Sequence, residues 1–168
     1  IQLLFLVGEP TALFGLRIAQ DVIDEREEWS QTDEVLDTDR ADPVNEKAGR
    51  GKSRRFQYIG RDIEDQSDNI VSHKLMPDIA RVVDSYYFYE VWARDDLKAK
   101  ERMVCSLAAL MCRGHSNHLK NQVGLALDMG MNKREICEVF SQAGWYRGWP
   151  YVEDALTQAQ ELFQQRNL

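Results

Sequence analysis

Residues 114–151 read GHSNHLKNQVGLALDMGMNKREICEVFSQAGWYRGWPY, and this stretch decides the fold. Gly130 ends one amphipathic segment, and Asn132, with a glutamate three residues later, is the capping-box pattern that starts a helix. Gly148 and Pro150 mark the end of that helix and the first turn of another, where proline is tolerated because no N–H is needed. The stretch therefore predicts three consecutive helices separated by short breaks.

Apolar residues on both sides of this stretch recur at helical spacing. Residues 98–112 are apolar on most sides and predict a buried helix that ends at Gly114. Two further apolar faces are formed by Ile79, Val82, Val83, Tyr86 and Tyr89, with Glu90 at the edge, and by Val152, Ala155, Leu156, Ala159, Leu162 and Phe163. Since no segment has the alternation of a strand, the sequence predicts an all-α fold.

Composition and charge limit the classes of function. The chain has 168 residues and a net charge of −7, which disfavours a nucleic-acid partner. Cys105, Cys112 and Cys137 have neither C-x-x-C nor disulfide-framework spacing, which favours a reducing, cytoplasmic setting. The apolar run at residues 103–112 is far shorter than the roughly 20 residues that a bilayer requires, so we expect no membrane partner.

Composition divides the chain into three parts. Residues 73–168 hold the predicted helical domain. Residues 30–72 are a charged, loop-rich connection with a short helix predicted around residues 54–65, and its basic part could pair with its acidic part or bind an anionic ligand or partner. Residues 1–29 are an N-terminal helical segment, whose first seven residues lack the features of a signal peptide and are more typical of the end of a buried helix.

The N-terminal segment is similar to the end of the chain. Gly8, Pro10, Leu16, Ala19, Gln20, Asp21 and Val22 have counterparts 140 positions later in Gly148, Pro150, Leu156, Ala159, Gln160, Glu161 and Leu162. Two interpretations are open. Residues 1–29 are the tail of a preceding copy of the domain, or two amphipathic helices that both start with proline are similar by chance.

A polar strip beside the central helices is the strongest candidate for chemistry. His115, His118 and Gln122 are three and four residues apart, so they project from one side of a helix. Two imidazoles could hold a metal ion, but a site needs another ligand and no carboxylate or cysteine is suitably spaced, so we expect no metal. The alternative is that both histidines are surface residues that follow the end of a helix.

Four patterns connect this region to a known family. Residues 89–97 (YEVWARDDL) are similar to G-[DE]-[IV]-W-x-R-x-x-L, Arg102 follows, residues 122–130 (QVGLALDMG) are similar to H-L-x-x-A-x-x-x-G, and residues 135–150 contain E-I-x-E-V and Y-x-G-x-P. The chain thus resembles the carboxymuconolactone decarboxylase family, relatives of the alkylhydroperoxidase D proteins. The resemblance implies an alkylhydroperoxidase D-like helical bundle and a homo-oligomer, either a trimer or a hexamer.

The chain departs from the family at the reactive position. The family's histidine is Gln122 here, and an amide cannot titrate. In the hydroperoxidase branch a C-x-x-C precedes that histidine, but His115 and His118 occupy those two positions. A thiol peroxidase is therefore disfavoured, because the redox dithiol is absent.

The resemblance implies a lyase that decarboxylates a small carboxylated lactone, or a related intermediate of aromatic breakdown, without a cofactor. Such a site must anchor a carboxylate, stabilise an enolate oxygen and return a proton to carbon. The predicted catalytic residues are His118, Gln122, Glu90 and His115, and the predicted substrate-binding residues are Arg94, Arg102, Tyr146 and Trp149.

The reaction suggests a role for most of these residues. Arg94 or Arg102 would anchor the carboxylate, although each is also typical of a structural ion pair. Gln122 and Tyr146 would donate to the enolate oxygen, and Trp149 would pack in the core or at a subunit contact or form a wall of the pocket. His118, one turn before Gln122, would return the proton in place of the missing histidine. A desolvated Glu90 is an alternative acid.

Two other functions are open. Gln122 could mark an isomerase or cyclase that acts on a different small molecule, or the helices could form a non-catalytic oligomeric module. A closed pocket that holds Glu90, Arg94, His118 and Gln122 together would favour an enzyme.

Overall fold

The computed structural model describes residues 6–26, 44–59, 75–94 and 96–168. The helices are α1 (Glu9–Asp24), α2 (Val44–Ile59), α3 (Pro77–Val82), α4 (Ala99–Arg113), α5 (Ser116–Asp128), α6 (Lys133–Arg147) and α7 (Trp149–Gln165), and a π-helix, Val83–Val91, continues α3. No strand occurs in these ranges, which confirms the all-α prediction for them. None of the described helices has the length and apolar character needed to cross a bilayer.

Short local signals set the boundaries of the last four helices. α4 ends at Gly114, which has a φ of 70°, a conformation that costs glycine little. At the start of α6 the Asn132 side chain accepts a hydrogen bond from the Glu135 N–H at 2.9 Å, and the Glu135 carboxylate accepts one from the Asn132 N–H at 2.7 Å. Gly148, with a φ of 107°, separates α6 from α7. The predicted breaks are therefore confirmed.

The core lies where α4, α5, α6 and α7 pack together. Each helix contributes apolar side chains spaced three or four residues apart, as an amphipathic helix requires. The fully buried side chains include Leu107 of α4, Val123 of α5, Phe140 of α6 and Ala159 of α7. The predicted apolar face of α7 is confirmed at its four buried positions.

The predicted apolar face between residues 76 and 90 is wrong. The prediction assumed one regular α-helix, but after Val82 the chain forms a π-helix, and the Trp92 N–H donates to the Tyr87 carbonyl oxygen, five residues back, at 2.9 Å. The extra residue in each turn rotates the side chains that follow, so the two parts no longer share a face. The exposed residues are Ile79, Val82 and Tyr86. The buried residues are Asp84, Ser85, Tyr89 and Val91.

α2 lies in the part predicted to be loop-rich. It begins at Val44, ten residues before the short helix predicted there, and it packs along the π-helix. Gly51 is buried at this crossing, where an added Cβ would lie 1.8 Å from the Asp84 carbonyl oxygen. Glycine is thus the residue that lets the two helices approach so closely. Residues 60–65 of the predicted helix lie outside the described residues, and the division into three parts stays a prediction.

Gly51→Ala should lower the free energy of unfolding by about 1–3 kcal/mol, since the new methyl group must displace the backbone of the π-helix. Gly49→Ala is the matched control on the same helix, because nothing lies within 4 Å of the Cβ it would add. That alanine should raise stability by about 0.5–1 kcal/mol. Urea denaturation measures both, and equal effects would contradict the packing of α2 on the π-helix.

Candidate functional site

The predicted polar strip lies at the start of α5. His115 is the N-cap residue and so precedes the helix, His118 lies in the first turn and Gln122 in the second. The centres of the two imidazole rings are 6.4 Å apart. Both histidines are exposed and Gln122 is half-buried. The three residues follow one another along one end of α5, with both imidazoles open to solvent in the single chain.

A small cavity between α4, α5 and α7 borders this strip. Its volume is about 10 Å³, and His115, Gly114, Leu119 and Tyr151 are among its lining residues. This volume is about that of one water molecule, whereas pockets for small organic ligands are typically of the order of 300 Å³ or more. The cavity is therefore too small for the predicted substrate.

A larger, open groove lies between α4 and α6. Its volume is about 410 Å³. Apolar side chains, among them Val104, Met131 and Val139, line most of it, and its acidic residues include Glu101 and Glu138. None of the eight predicted site residues lines this groove. Residue spacing does not predict this groove, because a groove between two helices depends on how they pack.

Glu90 is held by an ion pair that the sequence did not predict. Lys47, from α2, donates a hydrogen bond from its Nζ to Glu90 Oε1 at 2.7 Å. The side chains are only 19% and 16% exposed, respectively. A carboxylate that pairs with an ammonium is the ionised form, whereas an acid must carry the proton. The geometry thus favours Glu90 as a counter-ion over Glu90 as the proton donor.

Both predicted arginines bind the same carboxylate. Arg94 donates from Nε to Asp96 Oδ2 at 3.0 Å, and Arg102 donates from Nη2 to Asp96 Oδ1 and to the Arg94 carbonyl oxygen. Arg102 is only 3% exposed. Burial alone would raise the pKa of Asp96, but the hydrogen bonds and positive charges of the two guanidiniums outweigh it and hold the pKa below its usual value. This cluster fixes the loop before α4.

The junction of α6 and α7 lies against the junction of α4 and α5. Arg147 donates from Nε to the Cys112 carbonyl oxygen at 2.8 Å and from Nη2 to the Tyr151 hydroxyl at 2.6 Å. The Tyr151 ring also lies within 3.4 Å of the place where a Cβ on Gly114 would be. The polar strip and the start of α7 therefore occupy the same end of the helical bundle.

Three large aromatic side chains at this end face solvent. Trp145 and Tyr146 are 86% and 85% exposed, and Trp149, also exposed, donates from Nε1 to Glu153 Oε1 at 3.0 Å. Neighbouring exposed aromatics of this size are more typical of an interaction surface than of a free monomer surface. We refer to Trp145, Tyr146 and Trp149 as the aromatic group.

The cysteines do not form a redox pair. All three are free and half-buried. Burial raises the pKa of the Cys112 and Cys137 thiols, although the charges of Arg147 and Lys133 partly oppose it. A raised pKa disfavours the thiolate, which is the reactive form. Among the described residues, no three His, Cys, Asp or Glu side chains converge as metal ligands would.

The helices define an all-α protein whose α5, packed among α4, α6 and α7, carries a polar strip at its start. Residues 77–161, about half of the chain, match the carboxymuconolactone decarboxylase family. The chain belongs to this family, as its sequence patterns predicted. The match includes α3 through most of α7 and leaves α1 and α2 outside.

Two curated proteins are similar over somewhat longer ranges. A 4-carboxymuconolactone decarboxylase of Acinetobacter baylyi is 23% identical over 107 residues, which cover 64% of this chain and 75% of that protein. An uncharacterized 15.0 kDa protein in the nqo9-nqo10 intergenic region of Paracoccus denitrificans is 32% identical over 92 residues, 54% of this chain and 69% of that protein. The first of these similarities agrees with the family assignment.

Proposed function

We propose that the protein is a cofactor-free carboxy-lyase that acts on a small carboxylated lactone or a related intermediate of aromatic breakdown. The observation that carries this proposal is the family match from α3 to α7, together with the similarity to a 4-carboxymuconolactone decarboxylase. Loss of CO2 breaks the bond between the ring carbon and the carboxylate. The electron pair left on that carbon forms a dienolate, with negative charge on the carbonyl oxygen of the lactone. A cation, a hydrogen-bond donor and an acid are the groups that this reaction needs.

Arg94 is the better candidate for the carboxylate anchor. Arg102 is buried and holds both Asp96 and the loop backbone, so its removal from these contacts would be costly. Arg94 binds only the Asp96 side chain among its described contacts, and that side chain is 35% exposed. A substrate carboxylate can therefore replace Asp96 on Arg94 and keep the same charge-assisted geometry.

His118 and Gln122 are the proposed proton donor and the proposed donor to the enolate oxygen. Their place at the start of α5 leaves them accessible in the single chain. Closure of an active site excludes water and so limits side reactions of a reactive intermediate such as an enolate. We propose that a second copy covers this end of the bundle by packing on the aromatic group, and that the working form is a homo-oligomer, a trimer or hexamer. Tyr146 and Trp149 would then line the closed site.

A non-catalytic oligomeric module is the second candidate. Two observations favour it: both imidazoles are exposed in the single chain, and Glu90 is engaged by Lys47. In such a module the aromatic group would serve only to join subunits.

The test is to incubate the purified protein with 4-carboxymuconolactone and to follow the loss of lactone absorbance and the release of CO2. We expect turnover that is proportional to enzyme concentration and absent from heat-denatured protein. Loss of the lactone without CO2 would favour the isomerase or cyclase. No change at high enzyme concentration would contradict the lyase and favour either an isomerase or cyclase that acts on a different small molecule or the non-catalytic module.

A further inference from the structure

α1 and α7 begin in the same way. Gly8 and Gly148 precede them with φ and ψ of 82° and 155° and of 107° and 151°, which glycine adopts far more readily than other residues. Each helix has a proline in its first two positions, and their lengths are 16 and 17 residues. The similarity between these two segments of the sequence is therefore also a similarity of backbone conformation.

The buried face of α7 has a counterpart on α1 in the same register. α7 buries Val152, Ala155, Ala159 and Phe163. The residues 140 positions earlier are Ala12, Gly15, Ala19 and Ile23. All four are small or apolar, and the two central positions, where α7 allows its neighbours to approach closely, are small in both helices. A chance similarity between two amphipathic helices has no reason to keep this register.

The two helices differ in what covers this face. Ala155 and Ala159 of α7 are fully buried, whereas Gly15 and Ala19 of α1 are exposed. Leu16 and Val22 of α1 stand at the places of Leu156 and Leu162 and are 56% and 40% exposed, whereas Leu156 and Leu162 pack against the core. Most of the stability of such a helix comes from packing of its apolar face, so α1 requires a partner.

We propose that α1 is the counterpart of α7 in a second module of this family, and that the counterparts of α5 and α6 in that module pack on its apolar face. In the described module, α7 packs on α5 and α6, and Arg166 binds Asp128, at the end of α5, at 2.6 Å. The partner is thus a pair of helices with an apolar groove. This assignment is independent of the reaction at α5.

Replacement of α7 by the sequence of α1 within the full chain tests whether the two helices are equivalent. Residues 149–165 are replaced by the sequence of residues 9–25, and folding is followed by thermal unfolding and near-UV circular dichroism. A second version carries Ile23→Phe, which restores the side chain of Phe163. Two further versions change one residue each within the transplanted sequence. One carries Ala19→Glu, which places glutamate where the natural α7 has the buried Ala159, and the other carries Gln20→Glu, which places it where α7 has the exposed Gln160.

We expect the exchanged chain, or its Ile23→Phe version, to unfold in one cooperative transition with a native-like near-UV spectrum. The Gln20→Glu version should keep that transition, and the Ala19→Glu version should lose it. Failure of both the exchanged chain and its Ile23→Phe version, or equal melting temperatures for the two glutamate versions, would overturn the assignment. Sedimentation of the natural chain with Ala19→Glu in α1 adds a further check: if this change dissociates an oligomer, a second copy of this chain covers α1 instead.

Discussion

Phe140→Ala should lower the free energy of unfolding by about 3–5 kcal/mol, because a large aromatic side chain is removed from the centre of the core and leaves a cavity. Phe140 lies on α6 with none of its surface exposed, among side chains of α4, α5 and α7. The surrounding helices relax only partly into such a space, so most of the cavity remains. Urea denaturation, monitored by circular dichroism, measures the loss.

Trp145→Ala is the matched control, because it removes an even larger aromatic side chain from the same helix. Trp145 is 86% exposed, so its loss should change the stability of the single chain by about 0.5 kcal/mol or less. If Phe140→Ala costs less than about 1 kcal/mol, the packing of α6 described here is incorrect. If Trp145→Ala is destabilising only at high protein concentration, the aromatic group lies in a subunit contact.

The last four helices could be predicted from the sequence because their boundaries depend on local chemistry. Gly114 and Gly148 adopt positive φ, and Asn132 exchanges hydrogen bonds with Glu135 three residues away. Each signal lies within one turn of the boundary that it sets, so no knowledge of tertiary packing is needed. Arg102 and the family patterns at residues 122–130 and 135–150 lie in the same part of the chain, which is why the family assignment also succeeded.

The region before α4 could not be predicted because its structure depends on contacts between distant residues. The helical period assumed for residues 76–90 fails where the chain changes to a π-helix, and residue spacing carries no clear signal for that change. Residues 54–59 of α2 fall within the short helix that the sequence predicts, but its first ten residues do not, since they are mostly polar and include two glycines. Gly51, one of these, lets the backbone of Asp84 approach, which a loop prediction based on low apolar periodicity cannot anticipate.

For the candidate site, the sequence did not predict which residues the site side chains contact. The Lys47–Glu90 pair joins residues 43 positions apart in sequence, so spacing within one helix could not reveal it. Arg94 and Arg102 were given a structural ion pair as an alternative, and both do bind Asp96. The Arg94 side chain is 16% exposed and that of Arg102 is 3% exposed, a difference in burial that residue spacing does not show.

His118→Ala should lower kcat for the decarboxylation by about 10²–10⁴-fold, the usual contribution of general acid–base catalysis. KM should change little, since Arg94 is the proposed anchor of the substrate. His118 is exposed, so its replacement should leave the melting temperature unchanged. Asn121→Ala, on an exposed position of the same helix, is the control and should retain full activity.

Gln122→His separates the role of His118 from that of the site as a whole. An imidazole at residue 122 restores the residue of the family pattern and can return a proton to carbon, so it should recover activity in the His118→Ala background. Recovery would show that one acid at the start of α5 suffices and that its position can move by one turn. If the wild-type protein decarboxylates the lactone and the His118→Ala variant has the same kcat, the proton comes from another group. The assignment of His118 would then be wrong.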